Sequence, residues 1–153
     1  MPDVDYSETP EPVQPQDSEV DVMARTIYGE VRGEAYQGKI AVGWVIMNRV
    51  AFAQARDGYW WGSTIREVCL KPWQFSCWNA NDPNRKVIES VGPNDPNFSQ
   101  CFDVAGRVVS GKVPNPVEGA TRYYAEYIAP LFWVRGATLV SKVSVHSFYE
   151  NVA

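Results

Sequence analysis

A mostly helical α+β domain with a small β part is what this sequence predicts, on three observations. Apolar residues recur at helical spacing from Val20 to Val50 and again after Asp95. Between them, Lys71 to Asn97 is rich in Pro, Asn and aromatic residues and reads as one or two long loops. After Pro116 the pattern shortens to extended segments, and no internal repeat is visible.

The elements follow in order. Val20, Met23, Ala24, Ile27 and Val31 mark a first helix from about Val20 to Gly29, capped by Asp17 or Ser18 and loosened at its end by Gly29 and Gly33. A second helix over Tyr36 to Arg49 carries Ile40, Ala41, Trp44, Val45, Met47 and Val50 on most sides, so it should be the central buried one. Thr64-Ile-Arg-Glu67 is a capping-box pattern and opens a short third helix that ends before Pro72. Asp95-Pro96 pairs a good cap with a first-turn proline and starts a fourth helix, ending at Gly111, whose buried stripe is Phe98, Cys101, Phe102, Ala105, Val108 and Val109. Thr121 to Ala125 and Val143 to Tyr149 are expected as short strands.

Residues 1–19 differ from all that follows. They hold six acidic side chains, no basic ones and four prolines. Such a segment buries too little apolar surface to offset the entropy of ordering, so it is expected to be a disordered arm ahead of a domain over residues 20–153. Setting the arm aside leaves 14 basic against 12 acidic residues, so the acidity of the chain belongs to its arm. A mildly basic domain suits an anionic polymer, whereas no basic stripe or binding motif points to nucleic acid. The longest apolar stretch, Ile40 to Met47, is too short to span a bilayer, so no membrane insertion is expected. Cys69, Cys77 and Cys101 are an odd number, read as reduced thiols; neither their spacing nor the single His146 makes a zinc site, and no metal or cofactor is expected. Six Trp, eight Tyr and six Phe exceed the obvious needs of the core, and such rings often line a groove where a flat face covers a sugar.

The densest chemical signal is Tyr28-Gly-Glu-Val-Arg-Gly-Glu34. Glu30 falls where the first helix should break. The negative end of the helix dipole opposes ionisation there, and a nearby ring such as Tyr28 would exclude water. Both raise a carboxyl pKa, and a carboxyl that keeps its proton is what glycosidic cleavage needs, because the bridging oxygen leaves poorly until protonated. On spacing alone, however, the plainer reading is favoured: Glu30 and Glu34 as surface acids at a frayed helix end, partnered by Arg32.

A longer pattern changes that balance. Arg25-Thr-Ile-Tyr-Gly-Glu-Val-Arg-Gly-Glu34, continuing through Gln37-Gly-Lys-Ile-Ala-Val-Gly-Trp-Val-Ile-Met-Asn-Arg-Val50, closely resembles the opening of the SleB/CwlJ-type cell-wall hydrolases, the spore cortex-lytic family. Lys71-Pro-Trp-Gln-Phe-Ser-Cys-Trp78, Glu118-Gly-Ala-Thr-Arg-Tyr-Tyr124 with Trp133, and Val145-His-Ser-Phe-Tyr149 resemble later segments of the family, in the same order. Val31 and Lys39 replace the usual Ala and Gln, and the loop Ala51 to Ser63, with Tyr59-Trp60-Trp61, is enlarged.

The resemblance implies a lysozyme-like fold and cleavage of peptidoglycan glycan strands between N-acetylmuramic acid and N-acetylglucosamine, with Glu30 as the acid. Glu34 matches a second recurring glutamate and is a possible second carboxylate. A water-using glycosidase normally has two carboxylates, about 5–9.5 Å apart. If Glu30 works alone, it protonates the leaving oxygen and then deprotonates the muramic C6 hydroxyl, the lytic transglycosylase route; hydrolysis is the alternative. Tyr28, Gln74, Phe75, Trp78, Tyr123, Tyr124 and His146 are the candidate substrate-binding residues. Phe75 is equally a core candidate, and strand alternation lets only one of Tyr123 and Tyr124 face the site. His146 is expected to line the site rather than transfer protons.

Two other readings stand beside this one. A Cys-His peptidase or amidase would use one of the cysteines with His146, although none sits in a recognisable nucleophile motif. The other is a non-catalytic wall-binding or virion module. The first twenty residues show neither a basic start nor an apolar run, so no signal peptide is expected. The cellular setting this suggests is a phage endolysin, a monomer made in the host cytoplasm and released to the wall when a holin-type partner opens the membrane.

Overall fold

The computed structural model describes residues 15–125 and 134–152. The expected arm up to residue 14, and Trp133, lie outside the described residues. Five helices come first, α1 (Pro15–Val31), α2 (Tyr36–Gln54), α3 (Ile65–Leu70), α4 (Asn84–Ser90) and α5 (Pro96–Val109), with a 3₁₀ turn at Ser76–Trp78. Strands β1 (Arg122–Ala125), β2 (Thr138–Val143) and β3 (His146–Glu150) follow.

The second helix is central, as its all-round apolar sequence requires. One side sends Val42, Ile46 and Val50 into the main core with Met23, Ile27, Val104 and Val108. The other side sends Ala41 and Val45 into a smaller core with Val117, Ala120 and Phe148 beneath the sheet. A Cβ on Gly43 would lie 3.1 Å from Val108 Cγ2, so its absence lets α5 come close. Two cations are buried on this apolar helix, Lys39 and Arg49. Burying an unpaired charge is costly, so each needs partners. The Lys39 ammonium donates to Gln100 Oε1 and Arg49 Nε donates to Thr121 O at 2.8 Å.

The sheet is antiparallel with order β1-β3-β2. Tyr123 pairs with Phe148 and Ala125 with His146, so Tyr123, His146 and Phe148 share one face. Tyr124 and Tyr149 take the opposite face, where their rings stack at 5.7 Å and 12°. Ser144 at φ 54 helps turn the chain between β2 and β3, and the β2 register shifts between Leu139 and Ser141, a bulge.

Several boundaries depart from the sequence expectation. The first helix begins at Pro15, so positions 17 and 18 fall within it rather than at its start. α2 continues to Gln54. α4 sits inside the expected loop, and β2 was not anticipated; it has exposed Leu139 and no clean alternation. Phe102, expected in the buried stripe of α5, is exposed.

The Thr64 cap forms, its Oγ1 accepting from Glu67 N at 3.1 Å, while Glu67 Oε1 reaches back to Ser63 N at 3.1 Å. Asp95 caps α5 by accepting from Asn97 N and Phe98 N, and also accepts the Tyr28 hydroxyl proton at 2.8 Å. One carboxylate therefore holds α5 and ties it to α1. The Tyr28 hydrogen bond, foremost, holds the Asp95 pKa below its ordinary value. A depressed carboxyl pKa contributes stability above the unfolded pKa and loses it as pH falls through the folded one. Asp95→Ala should therefore lower Tm more than Tyr28→Phe at pH 7, and thermal melts at acid pH should show the gap from wild type closing.

Candidate active site

Glu30 lies in the last turn of α1, which carries no basic residue to offset the dipole. The residue is half-buried, so a path to solvent remains, yet burial of the carboxyl is the largest influence on it and raises its pKa. Four groups pull the other way. The Tyr123 hydroxyl donates to Glu30 Oε1 at 2.9 Å, the Cys77 thiol donates as well, and the Arg49 and His146 side chains lie within electrostatic reach. The net shift is upward, so desolvation outweighs these stabilisers of the anion.

Each partner is delivered by a local feature. Cys77 reaches Glu30 because Gly29 has no side chain: a Cβ there would sit 2.7 Å from both Cβ and Sγ of Cys77. Trp78, next in the 3₁₀ turn, donates from Nε1 to Thr26 Oγ1 at 2.8 Å, and Arg85 Nη1 donates to Trp78 O at 2.7 Å. Asn48 Nδ2 donates to Glu118 O at 2.7 Å and Ala120 O at 2.9 Å, and Arg49 holds Thr121 O. The Asn48-Arg49 pair thus fixes the chain just before β1 and sets where Tyr123 projects. The Arg49 guanidinium covers the Phe75 ring at 4.9 Å, and its Nη1 is buried without a hydrogen-bond partner among the described residues. Burial lowers the Arg49 pKa to about 10, so it remains a cation near neutral pH.

Glu34 follows the break and contacts the buried His146, Oε1 to Nδ1 at 3.0 Å. The two atoms are close but not aligned as a hydrogen bond, so the contact is an ion pair only when the imidazole is protonated. His146 meets the Tyr123 ring edge-on at 5.2 Å. Glu30, Glu34, Tyr123 and His146 therefore come together from α1, the turn after it, β1 and β3.

The other candidates are placed differently. Tyr28 departs from its expected role: its ring is buried edge-on to Phe98 at 6.1 Å and its hydroxyl is spent on Asp95, away from the Glu30 carboxyl. Two residues along a helix project to opposite sides, which is the reason. Phe75 is core, under Arg49. Gln74 is half-buried, with Oε1 buried and unpartnered among the described residues. Trp78 is half-buried against α1, and Tyr124 lies on the far face of the sheet with Tyr149. Sequence reasoning passed over Arg49 and Cys77. A cation on an otherwise apolar helix was the available signal for Arg49, one it shares with Lys39; nothing local marks Cys77.

A cell wall hydrolase family model (Hydrolase_2) matches residues 33–149, well over half of the chain, and the chain belongs to that family. Glu34 and His146 fall within the matched span, and Glu30 lies just ahead of it. The spore cortex-lytic enzyme of Halalkalibacterium halodurans is 45% identical over 140 residues, covering 86% of this chain and 34% of that protein. The one from Oceanobacillus iheyensis is 33% identical over 93 residues, 56% of this chain and 32% of that protein. The chain thus spans about a third of the length of these relatives. Among solved structures, the catalytic domain of the germination-specific lytic transglycosylase SleB from Bacillus anthracis is similar with TM-score 0.67 and 24% identity, over 93% of this chain and all of that one. The catalytic domain of Bacillus cereus SleB is similar with TM-score 0.64 and 24% identity, over 93% of this chain and 95% of that one. The fold is the lysozyme-like one of these catalytic domains.

Gly29→Ala should destabilise the protein by about 1–3 kcal/mol despite the better helix propensity of alanine, because the new methyl overlaps Cys77. Denaturant unfolding measures this.

Proposed function

We propose that this chain cleaves peptidoglycan glycan strands between N-acetylmuramic acid and N-acetylglucosamine, as a lytic transglycosylase with Glu30 as acid and then base. The observation that carries the proposal is the Glu30 carboxyl itself, whose pKa burial raises above its ordinary value and which Tyr123 and Cys77 orient. In the first step Glu30 gives its proton to the bridging oxygen as the bond from muramic C1 to that oxygen breaks. The carboxylate then takes the proton of the muramic C6 hydroxyl, O6 bonds to C1, and a 1,6-anhydro end forms while Glu30 recovers its proton. Tyr123, Cys77 and Arg49 steady the carboxylate between these steps.

The placement of Glu34 favours this route over hydrolysis. A hydrolase would use a second free carboxylate as nucleophile or to activate water, and Glu34 is instead turned to His146. The peptidase reading has the weakest support. Burial pushes the Cys69 thiol to about 12 and the Cys101 thiol to about 11, and raises Cys77, which contacts Glu30. Thiols so deprived of their thiolate form are poor nucleophiles.

Glu30→Gln should abolish the clearing of purified walls, and mass spectrometry of wild-type products should show anhydro-muramic ends. Reducing muramic ends would establish hydrolysis instead, and continued clearing by the variant would remove Glu30 from the chemistry. A stability measurement guards against loss by unfolding. Between the ordinary carboxyl pKa and the raised one the folded protein holds more protons than the unfolded chain, so Glu30 makes stability fall as pH rises through that window. The variant should melt higher than wild type above the window, with the gap closing below pH 4.5.

Tyr123→Phe removes a donor that favours the carboxylate, so the Glu30 pKa should rise further. The alkaline limb of the pH–rate profile, where the acid loses its proton, should then move to higher pH. A limb that stays in place would mean that Glu30 is not the titrating acid.

A further inference from the structure

The aromatic loop between α2 and α3 takes no step in the chemistry proposed at Glu30, yet it is firmly held. Between α2 and α3 the chain is held by Gly58 N to Ala53 O at 2.8 Å, Gly62 N to Tyr59 O at 2.9 Å and Ser63 N to Glu67 Oε1 at 3.1 Å. Gly62 sits at φ +95, where a Cβ would also come within 2.4 Å of Glu67 Cβ, so only glycine lets the loop fold back on α3. Trp61 is the buried anchor, its Nε1 donating to Arg49 O at 2.9 Å. Tyr59 packs edge-on against Trp61 at 4.5 Å and Phe52 at 4.9 Å, and Trp60 is tilted on Trp61 at 5.4 Å. This fixed stack leaves Tyr59 38% and Trp60 47% exposed.

The exposed rings wall an open pocket of about 540 Å³, completed by Arg66, Glu67, Leu70 and Lys71. That is the size range of small-ligand sites. The charges on its rim are unequal. Glu67 is engaged by the backbone of Ser63, whereas the Arg66 and Lys71 side chains have no ion pair or hydrogen bond among the described residues. The pocket is therefore aromatic on one side, and the other side carries two cations, Arg66 and Lys71, against one acid, Glu67. Beneath the pocket the Arg49 guanidinium lies 5.5 Å from the Trp61 ring centroid, covers Phe75 and acts electrostatically on Glu30, so the pocket floor and the Glu30 carboxyl share one buried cation.

We propose that this pocket is a distal subsite for a muramyl-peptide unit of the glycan strand, one sugar or more beyond the bond cleaved at Glu30. A pyranose ring presents a face of C–H groups that can lie on Trp60 and Tyr59 while its hydroxyls stay wet. The stem peptide carried by muramic acid bears carboxylates, which Arg66 and Lys71 would take. Because the loop is already ordered, little entropy is lost when the strand binds. The inference rests on the glycan-strand reading above, so its test measures binding in a protein that cannot turn over.

In the Glu30→Gln protein, isothermal titration would compare tetra-N-acetylchitotetraose, which is neutral, with a purified disaccharide-tetrapeptide muropeptide. Adding Trp60→Ala should weaken both by roughly tenfold, the scale of one well-made aromatic contact. Adding Arg66→Gln and Lys71→Gln instead should weaken only the muropeptide, and these surface changes keep the test available if Trp60→Ala fails to fold. Unchanged affinity for both ligands in the Trp60 variant would overturn the subsite. Equal loss for neutral and acidic ligands in the Arg66/Lys71 variant would overturn its preference for a peptide-bearing sugar. Failure of the glycan-strand reading would show separately, as continued wall clearing by Glu30→Gln.

Discussion

The hydrogen bond from Tyr123 to Glu30 Oε1 spans the two halves of the molecule. One end is fixed to the last turn of α1, in the helical core, and the other to β1, in the sheet. It can form only if α2 holds both halves at the right separation. α2 does so with two apolar faces, one in each core, and with the Asn48-Arg49 pair that grips the chain just before β1. The Glu30 carboxyl and the central helix are thus parts of one mechanical arrangement.

That arrangement balances opposing terms on a single group. Removing water from the Glu30 carboxyl favours its neutral form; hydrogen bonds from Tyr123 and Cys77, and the Arg49 and His146 side chains, favour the anion. In the proposed mechanism the same group both gives and takes a proton, and opposing influences of this kind suit that double duty. Keeping Arg49 fully buried is part of the cost. Among the described residues its charge is met by Thr121 O, two aromatic faces and the neighbouring acid, and one of its nitrogens has no hydrogen-bond partner. Such compromises are expected where function and stability compete for the same residues.

How much was legible in the sequence depended on whether the signal was local. The core of α1, the all-round burial of α2, the Thr64 and Asp95 caps and the Tyr123/Tyr124 alternation all follow from spacing along one element, and all are present. α4 was hidden because its seven residues are too few for a periodic pattern and bury only Ile88. β2 was hidden because an exposed strand with a bulge has little alternation. Tyr28 was misjudged because closeness in sequence to Glu30 was taken for closeness in space, and a helix turns the two residues apart.

The sequence by itself determined a helical domain with a small sheet, the block that carries Glu30 and Glu34, and the order of the segments that surround them. Only the tertiary structure decided which groups meet the Glu30 carboxyl. Cys77, Arg49, Tyr123 and His146 come from the 3₁₀ turn, α2, β1 and β3, and no spacing along the chain relates them. Whether a carboxyl keeps its proton is set by the water it has lost and the charges around it, and those are properties of packing, which the order of residues specifies only through the fold.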